Sequence, residues 1–369
     1  MSAKINRMVL PFTIGQTAFM LLRLLVLTAG VVLVGFTLNS AIKTFILPRG
    51  VNVWLTRLVF QAVGTFFMLR GRRASYEQRD QIMAMFAPLT LFVLPVVLLV
   101  LVLVGYMGIF WGLEPQPLTA VFTLSGSSLL TLGYASHDGW LFKAVEFSEA
   151  MIGLILVALL IAYLPTMYAA FAKRETAVAM WETRAGSPPS VAEMIARSHR
   201  TNELHRLRDV WLGWQTWFAE LEESHTSLAP LAFFRSPRPD RSWVVTAGNA
   251  LDSAAFILST VDTEYTPQAA FCIRSGFITL RHIAGFFGIP YNANPAPTDP
   301  ISISREEYDA LCATLEAQGV PLHTDRNRTW ADFAGWRVNY DSVLLALAHL
   351  TMAPYAEWVS DRSVVQSNR

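Results

Sequence analysis

The chain has 369 residues, a formal net charge of +1, 53% hydrophobic residues and only 15% charged ones. Soluble domains carry about 25% charged residues, so long stretches of this chain avoid charge, and the near-neutral balance argues against bulk nucleic-acid binding. The two cysteines, Cys272 and Cys312, lie far apart without a paired motif, which excludes a disulfide scaffold and a cysteine-built zinc site.

The first apolar run extends from Thr17 to Phe36 and is broken only by Arg23. It exceeds a signal-peptide core of about 7–15 residues and reaches the roughly 20 needed to cross a bilayer, so it reads as a retained anchor. Asn39-Ser40 and the Pro48-Arg49-Gly50 break follow. Residues 52 to 69 form a weaker apolar helix interrupted by Arg57 and Gln61. A centred Arg costs about 2.5–3.5 kcal/mol on insertion scales, so this helix is either a short span or an interfacial helix. The span is favoured because it gives a consistent topology. After the basic loop of Arg70, Arg72, Arg73 and Arg79, Met85 to Phe110 is strongly apolar, and Pro95 inside it is tolerated in lipid. The last run, Ala150 to Phe171, ends at Lys173-Arg174. Loops rich in Lys and Arg stay cytoplasmic. Lys4, Arg7, the Arg70–Arg79 loop, Lys173 and Arg174 then share that side, which predicts four spans in a multi-pass cell-membrane protein with both termini cytoplasmic. Lys43 and Arg49, in the outer 39–51 loop, run against the rule.

Residues 184 to 190, Arg-Ala-Gly-Ser-Pro-Pro-Ser, read as a turn-rich linker. Beyond it, helical periodicity covers Val191 to Leu221, Ala247 to Leu258 and Gln268 to Phe287. Ser304-Arg-Glu-Glu307 is a capping box that opens a helix to about Gln318, and 341 to 351 forms a last helix. The stretches around Arg235-Ser-Pro-Arg-Pro-Asp and 289–300 are loops. Alternating strand patterns are scarce, so this region reads as an α-helical cytoplasmic domain.

The most informative segment lies between the last two apolar runs: Pro117-Leu-Thr-Ala-Val-Phe-Thr-Leu-Ser-Gly-Ser-Ser-Leu-Leu-Thr-Leu-Gly-Tyr-Ala-Ser-His-Asp138. Pro117 suits a helix start. Residues 118 to 130 make a helix of about 20 Å at about 1.5 Å per residue, enough to reach part way into a bilayer. An extended Thr131–Ala135 then returns to the outside. Non-helical backbone at that depth is tolerated only inside protein or beside a wet cavity, and a ring of backbone carbonyls replacing a cation's hydration shell is such a place. A filter there needs a hydroxyl at its inner mouth, here Thr131, a residue that permits unusual φ, here Gly133, and a large aromatic, here Tyr134, with Leu132 and Ala135 completing the extended run. The C-terminal dipole of the short helix favours cations.

On these residues the chain resembles the pore-loop potassium-channel family of bacterial type, with one pore loop per subunit. The order of outer span, pore helix, Thr-Leu-Gly-Tyr and inner span is that family's. The resemblance covers residues 85–175: outer helix 85–110, pore helix and filter 117–136, inner helix 146–172. It implies a homotetramer in the lipid bilayer, each chain giving a quarter of one pore, with potassium or another monovalent cation as the permeant ion in the filter and no cofactor. It places Gly153 at an inner-helix hinge, with Pro165 bending the cytoplasmic end. Ala135-Ser136 stands where the family has Gly-Asp, which weakens the basis for strict potassium selectivity.

Glu146 and Glu149 open the inner span. Glu149, the deeper, and Asp138 are candidates for pore-mouth electrostatics; a solvated helix start is the plainer reading. Arg23 and Arg57 are too few and too irregular for a voltage sensor, and snorkelling accounts for them. His199, His205, His225 and His282 lack the i, i+4 spacing of helical zinc ligands, so no metal site is expected. Trp211, Trp214 and Trp217 form a stripe that suits a packed core more than a binding face. No catalytic constellation stands out, so an enzyme is not expected. The expected organisation is 1–84 N-terminal membrane helices and basic loop, 85–175 pore domain, 176–190 linker and 191–369 helical cytoplasmic domain with an unidentified ligand or protein partner. The expected function is a tetrameric cation channel gated by the inner helix and cytoplasmic domain. The rival is a membrane-anchored signalling or scaffold protein with a degenerate pore loop.

Overall fold

A computed structural model describes residues 14–47, 53–71 and 81–362. Lys4, Arg7, Pro48, Arg49, Gly50, Arg72, Arg73 and Arg79 lie outside the described residues. The helices are α1 (Ile14–Phe45), α2 (Trp54–Gly71), α3 (Phe86–Leu113), α4 (Leu118–Leu129), α5 (Trp140–Ala185), α6 (Val191–Arg200), α7 (Arg208–Ser227), α8 (Trp243–Ser259), α9 (Pro267–Phe286), α10 (Arg305–Ala317), α11 (Arg326–Arg337) and α12 (Asp341–Leu350). Among the described residues there is no strand, only an isolated bridge between Val261 and Leu322. The all-α expectation holds. Three helical stretches, Gly15–Phe45, Gln81–Leu113 and Trp140–Ala185, are long and apolar enough to cross a membrane; α2 is not among them.

The chain divides into two units. The first takes residues 14–47, 53–59 and 90–164. In it α1 and α3 meet along a glycine seam. A Cβ on Gly30 would lie 2.5 Å from the Gly105 carbonyl oxygen, and one on Gly112 would lie 2.6 Å from Leu27 Cβ. Small residues let membrane helices approach backbone to backbone, where dispersion replaces the hydrophobic effect. At the end of the seam Arg23 donates from Nε to the Gly112 carbonyl at 3.2 Å and from Nη2 to the Leu113 carbonyl. Arg23 thus caps the unpaired carbonyl end of α3, whose dipole welcomes a cation.

The contacts also set helix direction. Phe19 meets Trp111 and Gly30 meets Gly105, so α1 runs against α3. Phe110 stacks on Phe142 and Tyr106 bonds Ser148, so α3 runs against α5. Phe45 packs on Tyr163 with ring centroids 5.1 Å apart. α1 and α5 therefore run the same way. Four spans with both termini on one side would have these two helices oppose each other, whereas the contacts run them the same way.

The second unit takes residues 60–71, 81–89 and 165–362. The later part of α2 spends its apolar side chains here: Phe60 and Phe67 pack on Phe86, and Phe60 also meets Phe233. The expected 176–190 linker is corrected. α5 stays helical to Ala185, because Val178, Trp181 and Ala185 are buried, and the turn is confined to 186–190. Trp181 meets Trp214 at 5.0 Å, Trp214 meets Trp217 at 4.7 Å, and Trp181 Nε1 donates to Asn249 Oδ1 at 2.7 Å. The Trp211, Trp214 and Trp217 stripe is core.

The rest of α5 is tied to the same unit by Arg174. It is almost fully buried, pairs with Glu175, and donates to the Leu231 and Phe234 carbonyls at 2.8 and 2.7 Å. Its Nη1 also lies 3.4 Å from Nε2 of His225, a fully enclosed imidazole. Burial, and then the Arg174 charge, push the His225 pKa well below its ordinary value. Deeper in the core, Arg337 bonds Asp252, Asp341 at 2.7 Å and the Trp358 carbonyl at 2.6 Å. Burial lowers Arg337's hold on its proton, but the two carboxylates outweigh it and the net shift is upward. Ser304 and Glu307 form the expected capping box. Helix α11 was not expected from its mostly polar sequence; Asp325 caps it, accepting from the Asn327 and Arg328 amides.

Candidate pore site

Helix α4 begins after Pro117 and buries Val121, Leu124, Ser125, Ser127, Ser128 and Leu129, leaving Leu118 and Phe122 exposed. Its end is a Schellman cap. The Thr131 amide donates to Ser128 O at 3.0 Å and the Leu132 amide to Ser127 O at 2.8 Å. This closure puts residue 131 in the left-handed region, at φ 54°. Thr131 is thus a left-handed helix cap where an extended strand was expected. A β-branched residue there is strained by about 1–2 kcal/mol. Gly133 does take the positive φ expected of it, 71°. Ala135 shows no positive φ, so it bears none of the strain an L-residue would carry in that conformation.

Ser127 organises the loop. Its hydroxyl accepts from the Ala135 amide at 3.0 Å and donates to the Ala135 carbonyl at 3.1 Å. Its carbonyl takes the Leu132 amide, so one residue holds both ends of the 132–135 turn. Among the described residues, no group donates a hydrogen bond to the carbonyls of Thr131, Leu132, Gly133 or Tyr134. Those four residues are exposed, Tyr134 by 69%.

Beyond the loop, the His137 amide donates to Glu146 Oε1 at 2.8 Å, and Lys143 pairs with Glu146 Oε2 at 3.3 Å. The imidazole stacks on Phe142 with centroids 3.9 Å apart and lies 3.4 Å from Glu114. Asp138 is exposed. Glu149 is fully buried, with Oε1 2.5 Å from Ser125 Oγ, and that hydroxyl is also 3.2 Å from the Leu103 carbonyl. Of the two residues assigned to mouth electrostatics, only Asp138 is exposed. Glu149 is enclosed among α3, α4 and α5.

Gly153 lies one turn beyond Glu149. A Cβ there would sit 2.2 Å from the Leu129 carbonyl oxygen, so the glycine lets α5 touch the end of α4. α5 continues through Pro165. Ser125, Ser127 and the Gly153 contact escaped sequence reasoning. The one signal was a run of three serines within four positions of an apolar helix. Among the described residues, no three His, Cys, Asp or Glu side chains group as metal ligands. His282 instead pairs with Glu222 at 2.6 Å.

Comparison of the chain with protein-family models, curated proteins and solved structures finds no match. Its class therefore rests on its own residues: an all-α protein with three helices of membrane-crossing length, and a short helix and loop between the last two.

Proposed function

We propose that the chain is a subunit of a homotetrameric, pore-loop cation channel that conducts potassium or another monovalent cation through the backbone carbonyls of Thr131 to Tyr134. The observation that carries this reading is the run of four exposed residues whose carbonyls take no hydrogen bond within the described chain. Unpaired carbonyls at membrane depth need water or an ion, and a row of them replaces a hydration shell. Leu130, Leu132 and Tyr134 are 58%, 60% and 69% exposed, an apolar face suited to neighbouring copies.

The proposed topology has three crossings, by α1, α3 and α5, with α2 on the cytoplasmic surface. Lys43, Arg70, Lys173 and Arg174 then gather on one side, in keeping with the charge rule. The start of α1 faces outside, and the helical domain is cytoplasmic. Arg174 is buried in the helical domain within the later part of α5, and on this reading the inner helix and that domain gate the pore.

Purified protein in liposomes is expected to pass potassium down a gradient, with Thr131→Ala and Gly133→Ala altering the flux while the protein stays folded. Cross-linking is expected to give species up to four copies. No flux together with a monomeric state overturns the channel reading and leaves the scaffold alternative.

A further inference from the structure

Glu149 is the inner-helix carboxyl that the pore mechanism leaves unexplained. It is fully buried, and no Lys, Arg or His among the described residues pairs with it. Its Oε2 has no hydrogen-bond partner there. An unpaired carboxylate in such a place is far costlier than a neutral group.

The hydrogens can be counted. Ser125 has one hydroxyl hydrogen and two oxygen neighbours, Glu149 Oε1 at 2.5 Å and the Leu103 carbonyl at 3.2 Å. A carbonyl only accepts. If the acid form of Glu149 donates from Oε1 to Ser125 Oγ, the Ser125 hydrogen is free to go to Leu103. Both contacts are then satisfied, and Oε2 is left as a carbonyl-type acceptor, the cheapest group to leave unpaired.

The position matters as much as the chemistry. Glu149 and Gly153 are four apart on α5; their partners, Ser125 and Leu129, are four apart on α4. The two helices therefore meet at matched rungs on one face of each. Ser127, two residues after Ser125, holds Ala135 by amide and carbonyl. A shift at Ser125 thus displaces the loop that Ser127 holds.

We propose that Glu149, in its acid form, is the positioning residue of the pore loop: through Ser125 it ties α5 and α4 to the Leu103 carbonyl of α3 and so sets the placement of Thr131–Ala135. This deepens the channel reading and rests on it. The test uses the full chain in liposomes, measures potassium and sodium flux separately, and checks assembly by cross-linking. Glu149→Gln, an uncharged hydrogen-bonding isostere, is expected to keep the potassium-to-sodium ratio within about twofold, whereas Glu149→Ala and Ser125→Ala lower it by roughly tenfold, the scale of one lost buried hydrogen bond. A wild-type ratio in both alanine variants overturns the clamp and leaves the channel standing. A Glu149→Gln variant as impaired as Glu149→Ala overturns the acid-donor role. If Glu149→Ala does not assemble, Ser125→Ala, which removes only the partner, decides. Absence of flux in the wild type overturns the channel reading itself.

Discussion

The α-carbon of Gly153 faces the carbonyl oxygen of Leu129 so closely that a β-carbon would lie 2.2 Å from it. The end of α4 therefore rests directly on the backbone of α5. Relief has to come from moving one backbone against the other, because the contacted atom is not a flexible side chain.

Gly153→Ala is accordingly expected to destabilise the protein by about 1–3 kcal/mol, the usual cost of overpacking. That outweighs the gain of up to about 1 kcal/mol in helix propensity. Gly35→Ala in α1 is the control, since nothing lies within 4 Å of its added Cβ. Thermal unfolding in detergent is expected to show a lower Tm for the first and an equal or higher Tm for the second.

Thr131→Gly relieves the left-handed strain at φ 54° and is expected to raise stability by roughly 1 kcal/mol. On the channel reading it also removes the hydroxyl proposed for the inner mouth of the filter. The expected outcome is a raised Tm together with a changed cation preference, read by unfolding and by flux.

Helix direction predicts opposite sidedness for the two ends of the bundle. Cys272 and Cys312 are both buried, so background labelling is low. In intact cells a membrane-impermeant maleimide is expected to modify Gln16→Cys from outside, and Met180→Cys only after permeabilisation. Labelling of both from one side would restore the four-span arrangement.

His225 carries a pH prediction. Its folded pKa lies well below the ordinary value of 6.5 because of burial and the Arg174 charge. Above about pH 6.5 the imidazole is neutral folded or unfolded and has no effect. As pH falls below that value only the unfolded chain binds the proton, so stability declines by up to about 1.4 kcal/mol per pH unit. Unfolding measured between pH 7.5 and 5 is expected to show this slope, and His225→Gln to flatten it.

Arg337→Leu is expected to cost about 3–5 kcal/mol, because it strands Asp252 and Asp341 in the core without a counter-charge. The measurement is the Tm shift against Arg305→Leu, whose partner Asp309 is 47% exposed and whose loss is expected to cost under about 1 kcal/mol.

Much of the architecture was legible in the residues. Membrane-length apolar runs leave few alternatives, so α1, α3 and α5 were placed from composition alone. A short helix was expected at 118–130, and α4 runs from Leu118 to Leu129. The Ser304–Glu307 box was readable because both partners lie within one turn. Helix α11 was not, since its polar composition hides its periodicity and only the Asp325 cap marks it. The 176–185 segment read as linker because nothing local says that Trp181 is buried against Trp214.

Residue order by itself determined that this is a helical membrane-type protein with a Thr-Leu-Gly-Tyr loop between two apolar runs, because local composition sets hydropathy and helix length. Tertiary structure alone decided the direction of α1, the use of α2 on the helical domain, and the burial of Glu149 against Ser125. Those depend on contacts between residues far apart in the chain, such as Arg23 with Leu113 or Phe60 with Phe233. Such pairings follow from how surfaces fit together, and neither partner's neighbours in the chain announce them.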